Sequence, residues 1–193
     1  IDNGELHDQF VVGVIQGGAG PSTNMNMNEV IANAGLEAMG LALGDYSELH
    51  PIDDVNRSQS TNDVYPTAIK LAMVFGVQRL LAEHTKLTKS FAAKGVEFHD
   101  VLKMGRTQLQ DAVPMTLGQE FRTYSLMIGE DRARLSESVL LLHEINLGAT
   151  AIGTMLNAPK GYVPSACKHL SSLTGLPLVS AVDLIEATQD CGA

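Results

Sequence analysis

Several residue types that mark particular classes of protein are scarce in this chain. Its 193 residues include no tryptophan and only two cysteines, Cys167 and Cys191, which lack the CxxC spacing of zinc sites. This cysteine usage fits a reducing cytoplasm, and we predict a cytoplasmic location. No apolar run approaches the ~18 residues that cross a bilayer, and the polar, acidic N-terminus is unlike a signal peptide.

Positive charge is scarce as well. The chain has 13 Lys and Arg residues against 22 Asp and Glu residues, which gives a formal net charge of −9. Binding to nucleic acid depends on clustered Lys and Arg, so we expect no nucleic-acid partner. Because no apolar run is long enough to cross a bilayer, we expect no membrane partner either. The six histidines are scattered without ligand spacing, and the HExxH and GxSxG motifs are missing. We therefore predict no metal site.

The chain can nonetheless bury a core, because 45% of its residues are hydrophobic and only 18% are charged. Apolar residues at helical spacing predict helices over about residues 25–43, 63–100, 115–146, 163–175 and from 183 onward. Polar connectors are predicted at 44–63 and 105–114. The two longest helices would each be ~45 Å long and could not bury their apolar faces alone. We therefore predict a mainly all-α fold, a long-helix bundle that continues into other subunits.

The chain also reads as incomplete. It opens abruptly, and its final residues, "DLIEATQDCGA", are typical of the first turns of a helix. We expect it to be an internal fragment of a longer polypeptide.

Polar residues are concentrated in three clusters, each predicted to lie just before or at a helix start: 17–28, 50–62 and 107–111. A helix N-terminus exposes unpaired amides that can bind a carboxylate or a phosphate. Ser60, Thr61, Asn62 and Thr107 would add neutral hydrogen-bond donors there. The same residue types are also typical of ordinary helix caps, and His50 before a proline is typical of a surface loop. Both interpretations stay open at this point.

Four segments, read in order, resemble the aspartase/class II fumarase superfamily: "QGGAGPSTNMNMNEVIAN", "HPIDDVNRSQSTND", "KMGRTQLQDAVPMTLGQEF" and "EINLGATAIGTMLNAPKGY". The resemblance covers nearly the whole chain. It implies a mostly helical three-domain subunit, a homotetramer with a core of twenty helices, and active sites built from three subunits. It also implies that residues 1–58 are the C-terminal part of the first domain and residues 59–193 the first part of the central long-helix domain.

Within the superfamily the chain is most similar to the aspartase branch. This similarity implies reversible elimination of ammonia from L-aspartate, giving fumarate through an aci-carboxylate intermediate. The substrate is then a small dicarboxylate, with no cofactor required, although a divalent cation such as Mg²⁺ could act as an activator. Carried over by motif, Ser60, Thr61, Asn62 and Thr107 would donate hydrogen bonds to the substrate's carboxylates. Such donors suit a site that must stabilise developing negative charge.

Gln108 bears on the choice between two reactions. Fumarase-like sequences carry histidine at this position. Expelling hydroxide from malate needs a proton donor, which histidine can supply, whereas ammonia leaves from a protonated amine without one. Glutamine can bind a carboxylate but cannot titrate. Gln108 is therefore predicted to bind substrate and favours the ammonia-lyase, although some aspartases carry histidine here as well.

The resemblance also implies a second binding site, and two residues of this chain differ from the family motifs. His50 and Asp53 match a peripheral anion site described for the fumarase branch. Pro21 stands where the family has a substrate-binding threonine, and losing that hydrogen bond should cost about 1.5–3 kcal/mol. Ile52 replaces an amide side chain of the family motif.

The family's catalytic serine and anion-binding lysine lie on an "SSxMPxK" loop, which these residues do not contain. We therefore expect the catalytic base outside this chain and predict that the chain alone is inactive. Two rival hypotheses remain: a class II fumarase acting on malate, and a helical scaffold that has lost its chemistry. Pro21, Ile52 and the absent loop favour the latter.

Overall fold

Helices dominate the computed structural model, which describes residues 3–15 and 18–190. In these residues the regular elements are α1 (Pro21–Ala38), α2 (Thr61–Glu97), β1 (Leu102–Thr107), β2 (Gln110–Thr116), α3 (Leu117–Leu141), β3 (Glu144–Ile145), α4 (Tyr162–Thr174), β4 (Val179–Ser180) and α5 (Leu184–Gln189). A 3-10 turn at His7–Gln9 precedes α1, and a π-helical turn at Pro51–Val55 precedes α2. The prediction of a mainly all-α fold is confirmed.

Helices are present in all five regions that the apolar spacing predicts. Local residues set where some of them begin. α1 begins at Pro21 rather than near residue 25, because proline is well suited to the first helical position and has no amide hydrogen to leave unpaired. α2 begins at Thr61, two residues before the start predicted at about residue 63. α3 begins after Thr116, whose side chain and that of Gln119 form a reciprocal capping box.

A β-hairpin replaces the connector predicted over residues 105–114. Strands β1 and β2 pair antiparallel. Gln108 and Leu109 form the turn between them, and both have positive φ angles (48° and 65°), as a two-residue type I′ turn requires. The prediction that the cluster 107–111 lies at a helix start is therefore wrong, since α3 begins only at Leu117.

The chain divides into two compact units, residues 1–71 with 143–193, and residues 72–142. In the first unit α1 packs against the π-helical turn, and β3 pairs in parallel with β4. Its buried apolar side chains are Val30, Ala32, Leu36, Ile145, Ala149, Cys167, Leu176, Leu178 and Ala181. The boundary between residues 58 and 59 that the resemblance implies stays a prediction.

In the second unit, the C-terminal part of α2 packs closely against α3. A Cβ atom added at Gly118 would lie 2.4 Å from the backbone oxygen of Gly95, so only glycine permits this approach. Beside it, four aromatic rings have centroids between 5.5 and 5.9 Å apart, from Phe91, Phe98, Phe121 and Tyr124. These ring contacts join the C-terminal part of α2 to α3, and the buried apolar side chains of the unit are Val74 and Leu142.

Much of the apolar surface of α2 remains exposed. The helical spacing of the apolar residues predicts that Ile69, Phe75, Leu80 and Leu87 lie on its buried side. In the structure these four side chains are instead 38% to 45% exposed. The prediction that they are buried is wrong for this chain by itself, because the described residues leave that side of the helix uncovered. Even so, no helix in the described part of the chain is both long and apolar enough to span a membrane.

Cys167 lies on α4 with its side chain buried, and its Sγ donates to the backbone oxygen of Leu178 at 3.6 Å. Burial raises the pKa of this thiol. Cys191 and Gly17, the first residue of the first polar cluster, lie outside the described residues.

Candidate active site

The start of α2 brings three of the predicted site residues together. The Ser60 Oγ accepts a hydrogen bond from the amide of Asn62 at 3.2 Å, and the Thr61 Oγ1 accepts one from the Asn24 Nδ2 at 2.9 Å. The Asn62 Nδ2 donates to the backbone oxygen of Ala151 at 2.7 Å. Within the described chain neither hydroxyl hydrogen has an acceptor. Ser60 and Thr61 therefore present two neutral donors at one helix start.

The buried side chain of Asp63 holds this helix start in place through hydrogen bonds. Its side chain is fully buried, and it accepts backbone amide hydrogen bonds from Ser60 (3.0 Å), Gly148 (3.2 Å) and Thr150 (2.8 Å). Burial raises the pKa of the carboxyl, and the amide hydrogen bonds oppose that rise. The carboxylate thereby joins the residues before α2 to the loop that follows β3.

Asn146 makes a second link between the same two segments. Pro66 has no amide hydrogen, so the backbone oxygen of Asn62, four residues earlier, cannot receive the usual helical hydrogen bond. The Asn146 Nδ2 donates to that oxygen at 3.1 Å instead. The proline thus leaves open a backbone acceptor that a distant side chain fills.

Asparagines of α1 form a network behind Thr61. The side chains of Asn24 and Asn28 are buried, although asparagine is usually exposed. The Asn28 Nδ2 donates to the Asn24 Oδ1 at 3.4 Å and to the Asn56 Oδ1 at 3.1 Å. Buried amides are costly unless they are hydrogen-bonded, and here each bonds to another.

A cleft with both polar and apolar side chains in its lining opens beside this helix start. Its volume is about 630 Å³, and its polar lining includes Asp53, Asn56, Arg57, Ser60, Thr150 and Asn157. No ion pair of the Arg57 guanidinium is formed with the described residues. The Arg57 cation and the neutral donors are groups that can hold a carboxylate-bearing ligand, whereas the Asp53 carboxylate in the same lining opposes an anion.

His50 and Asp53, predicted as a secondary anion site, also lie together. The His50 Nδ1 accepts the amide hydrogens of Ile52 and Asp53, each at 3.1 Å, and so caps the π-helical turn. Accepting at Nδ1 leaves the ring proton of the neutral imidazole on Nε2. The amides that could hold an anion already donate to His50, so an anion bound here would meet the Nε2 hydrogen instead.

Thr107 and Gln108 belong to the other unit, at the exposed end of the β-hairpin. Pro21 occupies the first position of α1 in the same unit as Ser60, Thr61 and Asn62, and it offers neither a hydroxyl nor an amide hydrogen.

Sequence reasoning missed four residues that support this site: Asn24, Asn56, Asp63 and Asn146. The repeated asparagines of "NMNMN" carried a signal, because a polar residue at every second position does not suit one exposed helix face. Asp63 was visible in "STND" but reads there as an ordinary residue of the first helical turn.

Among the described residues, no group of three His, Cys, Asp or Glu side chains could hold a metal ion.

The chain is similar to known lyases over nearly its whole length. It is 61% identical over 191 residues to the aspartate ammonia-lyase of Pseudomonas fluorescens, which covers 98% of this chain and 40% of that protein. A crystal structure titled fumarate lyase:delta crystallin from Brucella melitensis, bound to cobalt, matches with a TM-score of 0.95 and 53% identity, over 98% of this chain and 41% of that one. The recombinant class II fumarase from Schistosoma mansoni matches with a TM-score of 0.87 and 31% identity, over 96% and 42%.

The chain thus spans about 40% of the length of the curated relative it matches. A family model described as Lyase matches residues 1–193. That match agrees with the motifs that resembled the aspartase/class II fumarase superfamily. The chain therefore belongs to the Lyase family.

Proposed function

We propose that the protein containing this chain is an aspartate ammonia-lyase, which converts L-aspartate to fumarate and ammonia. The observation that carries the proposal is the pair of hydroxyls of Ser60 and Thr61 at the start of α2, whose hydrogens have no acceptor among the described residues, in a chain 61% identical to an enzyme of that name. These hydroxyls match the chemical need of the reaction, which is to stabilise negative charge on a carboxylate.

The elimination has two bond-breaking events. A base takes the proton from the carbon beside one carboxylate, and the electron pair moves into that carboxylate to give a doubly charged aci-carboxylate. The pair then returns to form the carbon–carbon double bond, and the carbon–nitrogen bond breaks so that ammonia leaves with its own electron pair. We propose that Ser60, Thr61 and Asn62 donate hydrogen bonds that stabilise the charged intermediate.

Thr107 and Gln108 complete the proposed substrate-binding set. Both are exposed polar residues at the end of the hairpin, which suits a role toward a ligand or a neighbouring subunit. Gln108 can hydrogen-bond a carboxylate at any pH, because its amide does not titrate. The departing ammonia needs no acid from this position, whereas hydroxide would.

The remaining features of the proposal concern the complete protein. We propose a cytoplasmic homotetramer whose active sites combine segments of three subunits, with residues 1–58 and 59–193 in successive domains. No cofactor is required, and Mg²⁺ could act as an activator. The base is supplied from outside these 193 residues, so the isolated chain is inactive. His50 and Asp53 form a secondary anion site.

The test is fumarate formation by the natural-length protein, followed by absorbance with L-aspartate and L-malate supplied separately. We expect fumarate from aspartate only. Thr61→Val should lower kcat/KM by about 10- to 150-fold, since it removes a hydrogen bond to a charged ligand, while Thr61→Ser keeps the hydroxyl and most of the activity.

Two results would contradict the proposal. Turnover of malate but not aspartate would make the protein a fumarase despite Gln108. No turnover of either substrate would favour a scaffold without chemistry, for which Pro21 and Ile52 are the supporting departures.

A further inference from the structure

We infer that Asn24 is a positioning residue that holds the Thr61 hydroxyl as a hydrogen-bond donor toward the substrate. The inference rests on the proposed function, because it assigns how one of the proposed substrate-binding residues is set in its working orientation. Asn24 lies on α1, outside the helix start that carries Thr61, and its side chain is buried.

The hydrogen-bond geometry gives Asn24 a definite effect on Thr61. A hydroxyl can donate one hydrogen bond, and its hydrogen rotates to suit its surroundings. The Asn24 Nδ2 donates a hydrogen bond to the Thr61 Oγ1 at 2.9 Å. The hydroxyl therefore accepts on that side, and its own hydrogen must point elsewhere. No other described residue accepts that hydrogen.

The direction of the Asn24 amide is itself fixed by its neighbours. The Asn28 Nδ2 donates to the Asn24 Oδ1 at 3.4 Å, which keeps the oxygen away from Thr61. The Asn56 Oδ1 accepts from the Asn24 Nδ2 at 3.4 Å and from the Asn28 Nδ2 at 3.1 Å. A rotated Asn24 amide would set oxygen against oxygen at Asn56. The network therefore specifies one orientation.

This arrangement matters for an intermediate that gains charge. A donor that is already oriented costs no reorganisation when the negative charge develops. An asparagine at position 24 fulfils this condition, whereas an ionised aspartate can only accept. The Thr61 hydroxyl would then donate its hydrogen bond to the carboxylate introduced by Asn24→Asp. The substrate would no longer receive a hydrogen bond from Thr61.

The test compares Asn24→Asp with Asn26→Asp in the natural-length protein, in the assembly in which it purifies. Asn26 is the matched control, because it is also buried on α1, but its side chain bonds to the backbone of Gln9 and Val11 rather than to Thr61. At alkaline pH, with both variants folded by circular dichroism, we expect Asn24→Asp to lose about 10- to 150-fold in kcat/KM for aspartate. Asn26→Asp should stay within a few-fold of the parent.

A double-mutant cycle with Thr61→Val separates positioning from a structural role. If Asn24 acts through the Thr61 hydroxyl, Asn24→Asp should change kcat/KM less than about twofold once that hydroxyl is gone. A full additional loss in the Thr61→Val background would overturn the inference. So would equal losses for Asn24→Asp and Asn26→Asp.

A binding measurement keeps the inference testable if the proposed function fails. Succinate serves as an unreactive dicarboxylate probe, titrated by calorimetry against the parent and both variants. If the parent binds succinate without turning over aspartate, selective weakening in Asn24→Asp still supports the role of Asn24, and unchanged affinity overturns it. A parent that binds no dicarboxylate overturns both the inference and the proposed function.

Discussion

At the scale of single residues, Pro21 departs most sharply from the aspartase pattern. It follows Gly20, whose φ of 98° is left-handed, and a Cβ added at Gly20 would lie 2.3 Å from the Tyr65 ring. The chain therefore enters α1 through a turn that requires glycine, followed by the residue best suited to a first helical position. What the start of α1 lacks is a hydroxyl at position 21.

Restoring that hydroxyl should restore a substrate contact. We expect Pro21→Thr to raise kcat/KM for aspartate by about tenfold or more in the natural-length protein, since a hydrogen bond to a charged ligand is worth about 1.5–3 kcal/mol. Pro21→Ala is the control, because it removes the proline ring without adding a hydroxyl. Equal activity of the two variants in a steady-state assay would show that position 21 makes no such contact.

At the scale of elements, the hairpin turn carries an unfavourable residue. Leu109 has a φ of 65° and is 97% exposed, so it bears left-handed backbone strain without burying its side chain. Leu109→Gly should relieve the strain and slow hydrogen exchange of the hairpin amides by about two- to fivefold, which corresponds to about 0.4–1 kcal/mol.

The control for this prediction is Leu109→Ala, which shortens the side chain but keeps the Cβ atom that causes the strain. We expect its amides to exchange at the wild-type rate. Faster exchange in Leu109→Gly would mean that the leucine side chain stabilises the hairpin through contacts in the assembled protein.

The connection made by Asp63 predicts a loss of stability on substitution. Asn in its place keeps one acceptor oxygen and presents an NH₂ group to backbone amides that also donate. Leaving a buried donor unpaired costs about 1–3 kcal/mol, so Asp63→Asn should lower the apparent melting temperature. Asp53→Asn is the control, because the Asp53 side chain is 81% exposed. Equal melting temperatures for the two variants would contradict the prediction.

The same residue predicts a pH dependence. Burial raises the pKa of Asp63 above its ordinary value of 3.8, so the folded protein keeps this proton to a higher pH than the unfolded chain does. The contribution of Asp63 to stability is therefore largest below 3.8 and declines as pH rises through the folded-state pKa. The difference in melting temperature between wild type and Asp63→Asn should therefore narrow as the pH rises from 3.8 through the folded-state pKa of Asp63. A widening difference would mean that the amide hydrogen bonds outweigh burial.

The elements also differ in how well their sequence predicts them. α2 and α3 were predictable because their apolar residues recur at helical spacing. The hairpin was not, since both strands are mostly exposed, and the second strand, QDAVPMT, does not alternate between apolar and polar residues. Ser60, Thr61 and Asn62 could be proposed from a local motif. Their partners could not, because Asn24 is 37 residues from Thr61, and Asn146 is 84 residues from Asn62.

At the scale of the whole molecule, uncovered apolar surface on the long helices indicates association. Leu80 and Leu87 of α2 are 44% and 45% exposed, and Leu126 and Met127 of α3 are 58% and 57% exposed. Several large apolar side chains exposed on two long helices are typical of helices that pack against further protein. A long-helix bundle shared between subunits would cover them.

The 193-residue polypeptide expressed by itself should therefore self-associate and bind an apolar fluorescent dye, and it should yield no fumarate from aspartate. Light scattering with size-exclusion chromatography measures the first property, and dye fluorescence the second. The natural-length protein at equal concentration is the control, and it should bind less dye per chain. A dye-free monomer would contradict the prediction about the apolar surface, and fumarate formation would contradict the proposed external base.

The burial of Cys167 has a consequence for measuring motion in this protein. A thiolate reacts with alkylating reagents, whereas a buried thiol of raised pKa is both shielded and protonated. Cys167 is only 7% exposed, so we expect alkylation to be faster when α4 or the segment around Leu178 moves and uncovers the thiol. The rate at which this one peptide gains reagent mass would report how often that part of the protein opens, without any introduced label.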